Sequence, residues 1–186
     1  MLRTRSWPSA LRSPLTLRAG ACVAALLALA GFANGQAPVV PEARTASWVI
    51  EPGKGVGPLR LGMSREEVRG AVGEPKTTGP AWDYPSDAFA VSFSSDGTVA
   101  SIIAGIGSPS PDSESVPEYA YRFKARTPQG VGIGSTLEEV LAALGAPSTD
   151  RADGSGAEYL WYRESHLNVS LWHGHVYNIA IFKRAD

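Results

Sequence analysis

Three histidines, two pairs of adjacent glutamates, a glycine-rich run and a group of large aromatics are the side chains whose types and spacing could do chemistry. His173 and His175 flank Gly174, and His166 stands upstream of them. A metal site would need all three rings on one ion. The residues between His166 and His173 read as extended chain, which at roughly 3.3 Å per residue holds those rings about 20 Å apart. His173 and His175 by themselves lack a third ligand, so they read as a polar turn. No metal or other cofactor is expected. Glu66-Glu67 and Glu138-Glu139 invite acid–base chemistry. Adjacent helix positions do not face each other, however, and the second glutamate of each pair has a capping role, derived below. Gly130-Val131-Gly132-Ile133-Gly134 precedes a helix signal. A dinucleotide fingerprint would need glycine where Ser135 stands, and a phosphate loop would need a Gly-Lys-Ser/Thr run that is absent. The run reads as a bend into a capped helix. There is no Gly-x-Ser-x-Gly elbow, and the one cysteine, Cys22, lies in the N-terminal segment. The chain is therefore read as a binding protein rather than an enzyme.

Those residues sit in a pattern that occurs twice. Gly62-Met63-Ser64-Arg65-Glu66-Glu67-Val68 leads to Gly73-Glu74-Pro75, and Gly134-Ser135-Thr136-Leu137-Glu138-Glu139-Val140 leads to Gly145-Ala146-Pro147. Ser64 with Glu67, and Thr136 with Glu139, have the spacing of a capping box: the hydroxyl accepts from the third helical N–H and the glutamate reaches back to the cap's own N–H. Val68 and Val72 share one helical face, as do Leu137, Val140, Leu141 and Leu144. Gly73 and Gly145 suit a helix stop, with proline two residues later blocking continuation. Helices this short are not stable alone in water and must pack on a sheet. Downstream, Phe89, Val91 and Phe93 alternate with smaller residues, as Leu167, Val169 and Leu171 alternate with Asn168, Ser170 and Trp172. Each alternation predicts a half-buried strand. Ser95-Asp96-Gly97-Thr98 and His173-Gly174-His175 read as the turns that follow.

The fold class predicted is α+β: two tandem repeats, each a short helix on an antiparallel sheet of three to four strands. Repeat unit 1 spans 47–106 and repeat unit 2 spans 119–186. The Pro- and Ser-rich stretch 107–118 is the linker, 36–46 a flexible tether, and 1–35 a signal peptide. Trp48-Val49-Ile50 and Tyr119 to Phe123 read as lead-in strands. A glycine approach, a helix opening on Ser/Thr-x-Glu-Glu-Val, a Gly-x-Pro exit and a strand meander resemble the BamE/SmpA-like units of bacterial envelopes. Two such units after a signal peptide resemble the secreted β-lactamase inhibitor protein. That resemblance implies helices on one sheet face and protein binding through the other face or its loops. The chain departs from both relatives: it has no cysteine placed for lipidation and none in the mature part for disulfides.

The two units differ on the face away from the helix. If Leu160 and Tyr162 face the helix as Trp82 and Tyr84 do, then Tyr159, Trp161 and Trp172 face outward, where the first unit has Ala81, Asp83 and Ser94. Large rings with a polar handle are what interfaces favour. Either a partner covers them, or the first unit or the linker does. Tyr159, Trp161, Trp172 and the turn residues His173 and His175 are thus the candidate partner-binding set.

Export follows from the N-terminus. Arg3, Arg5, Arg12 and Arg18 come without acidic residues before an apolar run from Ala19 to Ala33. That run is shorter than the roughly 20 residues a membrane-spanning helix needs, and it ends in small residues suited to cleavage near Gln36. The chain has 17 basic and 18 acidic residues. Loss of the four arginines leaves an acidic mature protein with no basic cluster evident, which argues against nucleic acid. The predicted function is an exported, non-enzymatic module, periplasmic or secreted, that binds another envelope or secreted protein and does not span the membrane after cleavage. The alternative is a periplasmic protein that binds a small ligand or metal in the cleft between units.

Overall fold

Both capping boxes form. The Ser64 hydroxyl accepts from the Glu67 N–H while the Glu67 carboxylate accepts from the Ser64 N–H at 2.7 Å, and Thr136 with Glu139 repeats the exchange at 2.8 Å. They open two eight-residue helices, α1 (Arg65–Val72) and α2 (Leu137–Leu144). Gly73 and Gly145 end them at φ of 85° and 77°, where a Cβ would be strained. Arg65–Val72 buries Val68 and Val72, and Leu137–Leu144 buries Val140 completely. Leu141, expected on the buried face, is 38% exposed. Leu137, Ala143 and Leu144 pack against the core instead, so the helix is rolled away from Leu141.

The computed structural model describes residues 44–183; the expected signal peptide and cleavage site, Cys22 and residues 36–43 of the expected tether lie outside the described residues. The strands are β1 (Ile50–Glu51), β2 (Gly55–Val56), β3 (Leu59–Arg60), β4 (Ala81–Tyr84), β5 (Phe89–Phe93), β6 (Val99–Ala104), β7 (Thr149–Ala152), β8 (Ala157–Tyr162), β9 (Leu167–Trp172) and β10 (His175–Phe182). The fold is α+β and its paired strands are antiparallel. β1, β2 and β3 form a small sheet; the other seven form one sheet in the order β4-β5-β6-β10-β9-β8-β7.

That continuity corrects the expectation of two separate sheets. β6 pairs with β10 through Ile102↔Ile181 and Ala104↔Ile179, and all four residues are at most 2% exposed. A hydrogen-bonded ladder therefore joins the two halves. On either side of it the same local bonds recur. The Tyr84 phenol donates to the Gly73 carbonyl at 3.1 Å, and the Tyr162 phenol to the Gly145 carbonyl at 3.1 Å. The Gly62 N–H donates to Val99 and the Val99 N–H to Met63; Gly134, Val176 and Ser135 make the matching pair.

The core lies on the helix side of the large sheet. Trp82, Tyr84, Phe89, Val91, Leu160, Tyr162, Leu167, Val169 and Leu171 are buried there, as the alternation predicts. β9 departs from it, because Asn168, Ser170 and Trp172 on the opposite side are buried too. The first lead-in segment runs into β1 at Ile50, but the second differs. Glu118–Arg122 is a 3-10 turn, with Ala120 N–H on the Pro117 carbonyl and Phe123 N–H on the Ala120 carbonyl. The end of the expected tether is packed: Thr45 is fully buried, and Arg44 donates to the Val72 carbonyl and the Asp87 carboxylate.

Candidate functional site

The site begins with the alternation of β8. Leu160 and Tyr162 turn into the core at 3% and 7% exposure, which forces Tyr159 and Trp161 to the other face. Tyr159 is half-buried and Trp161 is 41% exposed. Register sets their neighbours: Tyr159 lies between Arg151 and Ser170, and Trp161 between Thr149 and Asn168. The Trp161 ring meets Phe182 edge-on at 5.8 Å, and Phe182 meets His166 at the same distance. Two shallow hollows join at Trp161. One, of about 350 Å³, is lined by Arg151, Asp153, Tyr159 and Trp161; the other, of about 400 Å³, by Thr149, Trp161, Arg163 and Phe182.

Beneath these rings runs a bonded polar floor. Asn168 Nδ2 donates to the Leu160 carbonyl at 3.2 Å, and Ser170 Oγ donates to Asn168 Oδ1 at 3.0 Å. Burial, with Tyr159 beside it, pushes the Tyr177 phenol up to about 12, so it stays protonated at any physiological pH. Asp153 is held below the usual carboxylate range by the Ser155 hydroxyl and N–H. The site thus keeps Asp153 as a fixed negative charge beside the cation of Arg151. Its exposed groups are aromatic surfaces, guanidinium donors and one carboxylate, a set suited to recognition.

The five residues expected from sequence do not form one surface. Tyr159 and Trp161 come together. Trp172 was expected to face a partner, but it is only 4% exposed, and its indole N–H donates to the Ser113 carbonyl. The linker meets this ring, because the indole N–H needs an acceptor when buried and the chain crossing from β6 to the second half supplies one. His173 lies on the two-residue turn His173-Gly174 between β9 and β10, with φ of 46° and 77°, and His175 opens β10; both histidines are exposed. His175 Nδ1 lies 3.1 Å from the His173 carbonyl oxygen, and the His173 ring sits edge-on to Trp172 at 4.8 Å. Among the described residues, no three His, Cys, Asp or Glu side chains gather as metal ligands. Phe182, Arg151 and Arg163 were not anticipated. Phe182 was within reach of the pattern: extending the alternation of Val176, Ile179 and Ile181 by one step turns it outward.

No protein-family model matches the chain, and no curated protein matches it significantly. Among the described residues, no helix is long and apolar enough to cross a membrane. Two solved structures align with it at low similarity. One is a DUF4309 family protein (YjgB) from Bacillus subtilis subsp. subtilis str. 168, with 15% identity and a TM-score of 0.40, covering 65% of this chain and 78% of that one. The other is an extracellular protein containing an SCP domain from Bacillus anthracis str. Ames, with 12% identity and a TM-score of 0.38; it covers 66% of this chain, which in turn spans 44% of that protein.

Proposed function

We propose that this is an exported, non-enzymatic module of the bacterial envelope or secreted fraction, and that it binds another protein through the outward face of β8 and β10. The observation that carries the reading is Trp161. A 41% exposed indole, set between two hollows and flanked by Tyr159, Phe182, Arg151 and Arg163, has the composition of an interface centre: aromatic anchors with arginine at the margin. Export rests on the N-terminal pattern. The reading as two tandem units related to the BamE/SmpA-like superfamily rests on the doubled capping box, the doubled tyrosine-to-glycine bond and the doubled glycine–valine exchange. Trp172 is withdrawn from the binding surface, and His173 and His175 stand at its far end.

A photo-crosslinking residue in place of Trp161 tests this in cells. It should trap a discrete envelope protein, and Trp161→Ala should then weaken binding of that protein at least thirtyfold, since a hot-spot ring is worth about 2 kcal/mol or more. The same crosslinker at Leu141, exposed on the helix side, should not trap it. Equal trapping at both positions would remove the assignment of the face.

A further inference from the structure

The geometry points to an oxyanion site, for a phosphate or carboxylate group, in the hollow between Tyr121, Lys124 and Arg126. The segment 122–127 alternates. Phe123, Ala125 and Thr127 are buried at 2%, 1% and 4%, whereas Arg122, Lys124 and Arg126 are exposed. Its backbone is tied from both sides. The Thr45 hydroxyl donates to the Arg122 carbonyl and accepts from the Lys124 N–H. The Ile50 N–H donates to the Arg126 carbonyl, and Arg126 bridges to Gly132. Lys124 and Arg126 are thereby fixed on one side of an extended stretch, about 7 Å apart, while Arg122 ends the 3-10 turn before it. Their chain is acidic overall, yet among the described residues none of the three is in an ion pair; the pairs are Arg44–Asp87, Arg60–Glu51 and Arg69–Glu74. Like charges held this way repel one another, and an anion placed between them relieves the repulsion.

Arg126 is held in place by two hydrogen bonds. Its Nη1 donates to the Gly130 carbonyl at 2.7 Å and to Ser135 Oγ at 3.3 Å. That fixes the guanidinium plane and leaves its other N–H donors for a forked contact with an oxyanion. Lys124 adds a point charge from the neighbouring position. The hollow, of about 260 Å³, is lined by Tyr121, Phe123, Lys124, Arg126, Ile133 and Gly134, with no acidic side chain. Tyr121 supplies a wall and a hydroxyl; its ring lies where a Cβ on Gly134 would approach to 2.6 Å, so glycine is required there to let the ring close the hollow.

The test is a titration of the exported protein, isotopically labelled, with sodium phosphate and with sodium acetate, each against sodium chloride at matched ionic strength. The amide signals of Gly134 and Ser135 are followed. Saturable shifts beyond those in chloride are expected with phosphate, acetate or both, and the arm that saturates at lower concentration identifies the source of the oxyanion. Lys124→Gln, at an exposed position whose ammonium group joins no ion pair among the described residues, should raise the apparent Kd at least tenfold. Arg122→Gln, outside the hollow, should change it less than twofold. If neither anion saturates beyond chloride, the site does not exist. If Arg122→Gln weakens binding as much as Lys124→Gln, the attraction is diffuse and the assignment to the hollow fails.

Discussion

At the scale of single residues, two tryptophans from the same outward set have opposite environments. Trp161 is 41% exposed and Trp172 is 4% exposed. Trp161→Ala should therefore shift the free energy of unfolding by no more than about 1 kcal/mol, while Trp172→Ala should lower it by about 3–5 kcal/mol, the range for a buried ring. Urea denaturation of both variants checks this, and iodide quenching of Trp161→Phe against the parent should show that the accessible indole has gone. A second pair tests equivalence across the sheet. Tyr84 and Tyr162 each donate to the carbonyl of the glycine that ends the preceding helix, at 3.1 Å in both cases. Tyr84→Phe and Tyr162→Phe should each cost about 1 kcal/mol, and costs differing severalfold would argue against equivalent roles. Asp96 contributes to acid sensitivity. The Ser94 hydroxyl, then the N–H and hydroxyl of Thr98, hold its carboxyl down to about 2 from an ordinary 3.8. A lowered folded value favours the folded state above the unfolded value and loses that support as pH falls through the folded one. Asp96→Asn should flatten the acid limb of the stability profile between about pH 4 and pH 2, a change readable by thermal melts across that window.

Among the elements, the helices test the capping and packing arguments separately. Thr136→Ala removes the hydroxyl from the second box and should cost about 1 kcal/mol. Val140→Ala empties a fully buried position and should cost roughly 1–3 kcal/mol. Leu141→Ala, at an exposed position, should stay within about 0.5 kcal/mol; a large loss there would mean the helix is rolled the other way. These elements were legible because their causes are local. A hydroxyl three residues before a glutamate, a glycine after a turn of helix, and a period of two in β5 and β9 need only near neighbours to act. What escaped the sequence depends on distant chain. Leu141 lost its buried place to a roll of α2. Tyr119 and Tyr121 alternate like a strand, but after Pro117 the backbone closes i→i+3 bonds instead. Trp172 could not be assigned to a partner or to the linker from its neighbours alone, since the acceptor of its N–H is Ser113. Of the candidate site, Tyr159 and Trp161 follow from the periodicity of β8, while Arg151 and Phe182 join them through pairings between strands.

For the whole molecule, the joining of β6 to β10 decides behaviour that neither half could show alone. The seven strands share one ladder, so unfolding should be a single transition, with amide exchange slowest at Ile102, Ala104, Ile179 and Ile181. The outer edge at β7 is short and fully exposed, with Asp150 and Arg151 at its centre. Pairing of two copies along this edge about a two-fold axis would set Asp150 against Asp150 or Arg151 against Arg151, which opposes association. Sedimentation should accordingly find a monomer. The same seam makes the covalent link across it dispensable. Residues 110–112 of the linker are exposed, and a protease cut there severs neither the β6–β10 ladder nor the contact of Ser113 with Trp172. The nicked chain should remain one particle, and two separately made polypeptides ending and beginning at that point should reassemble by fragment complementation, each supplying the strand that completes the other's sheet.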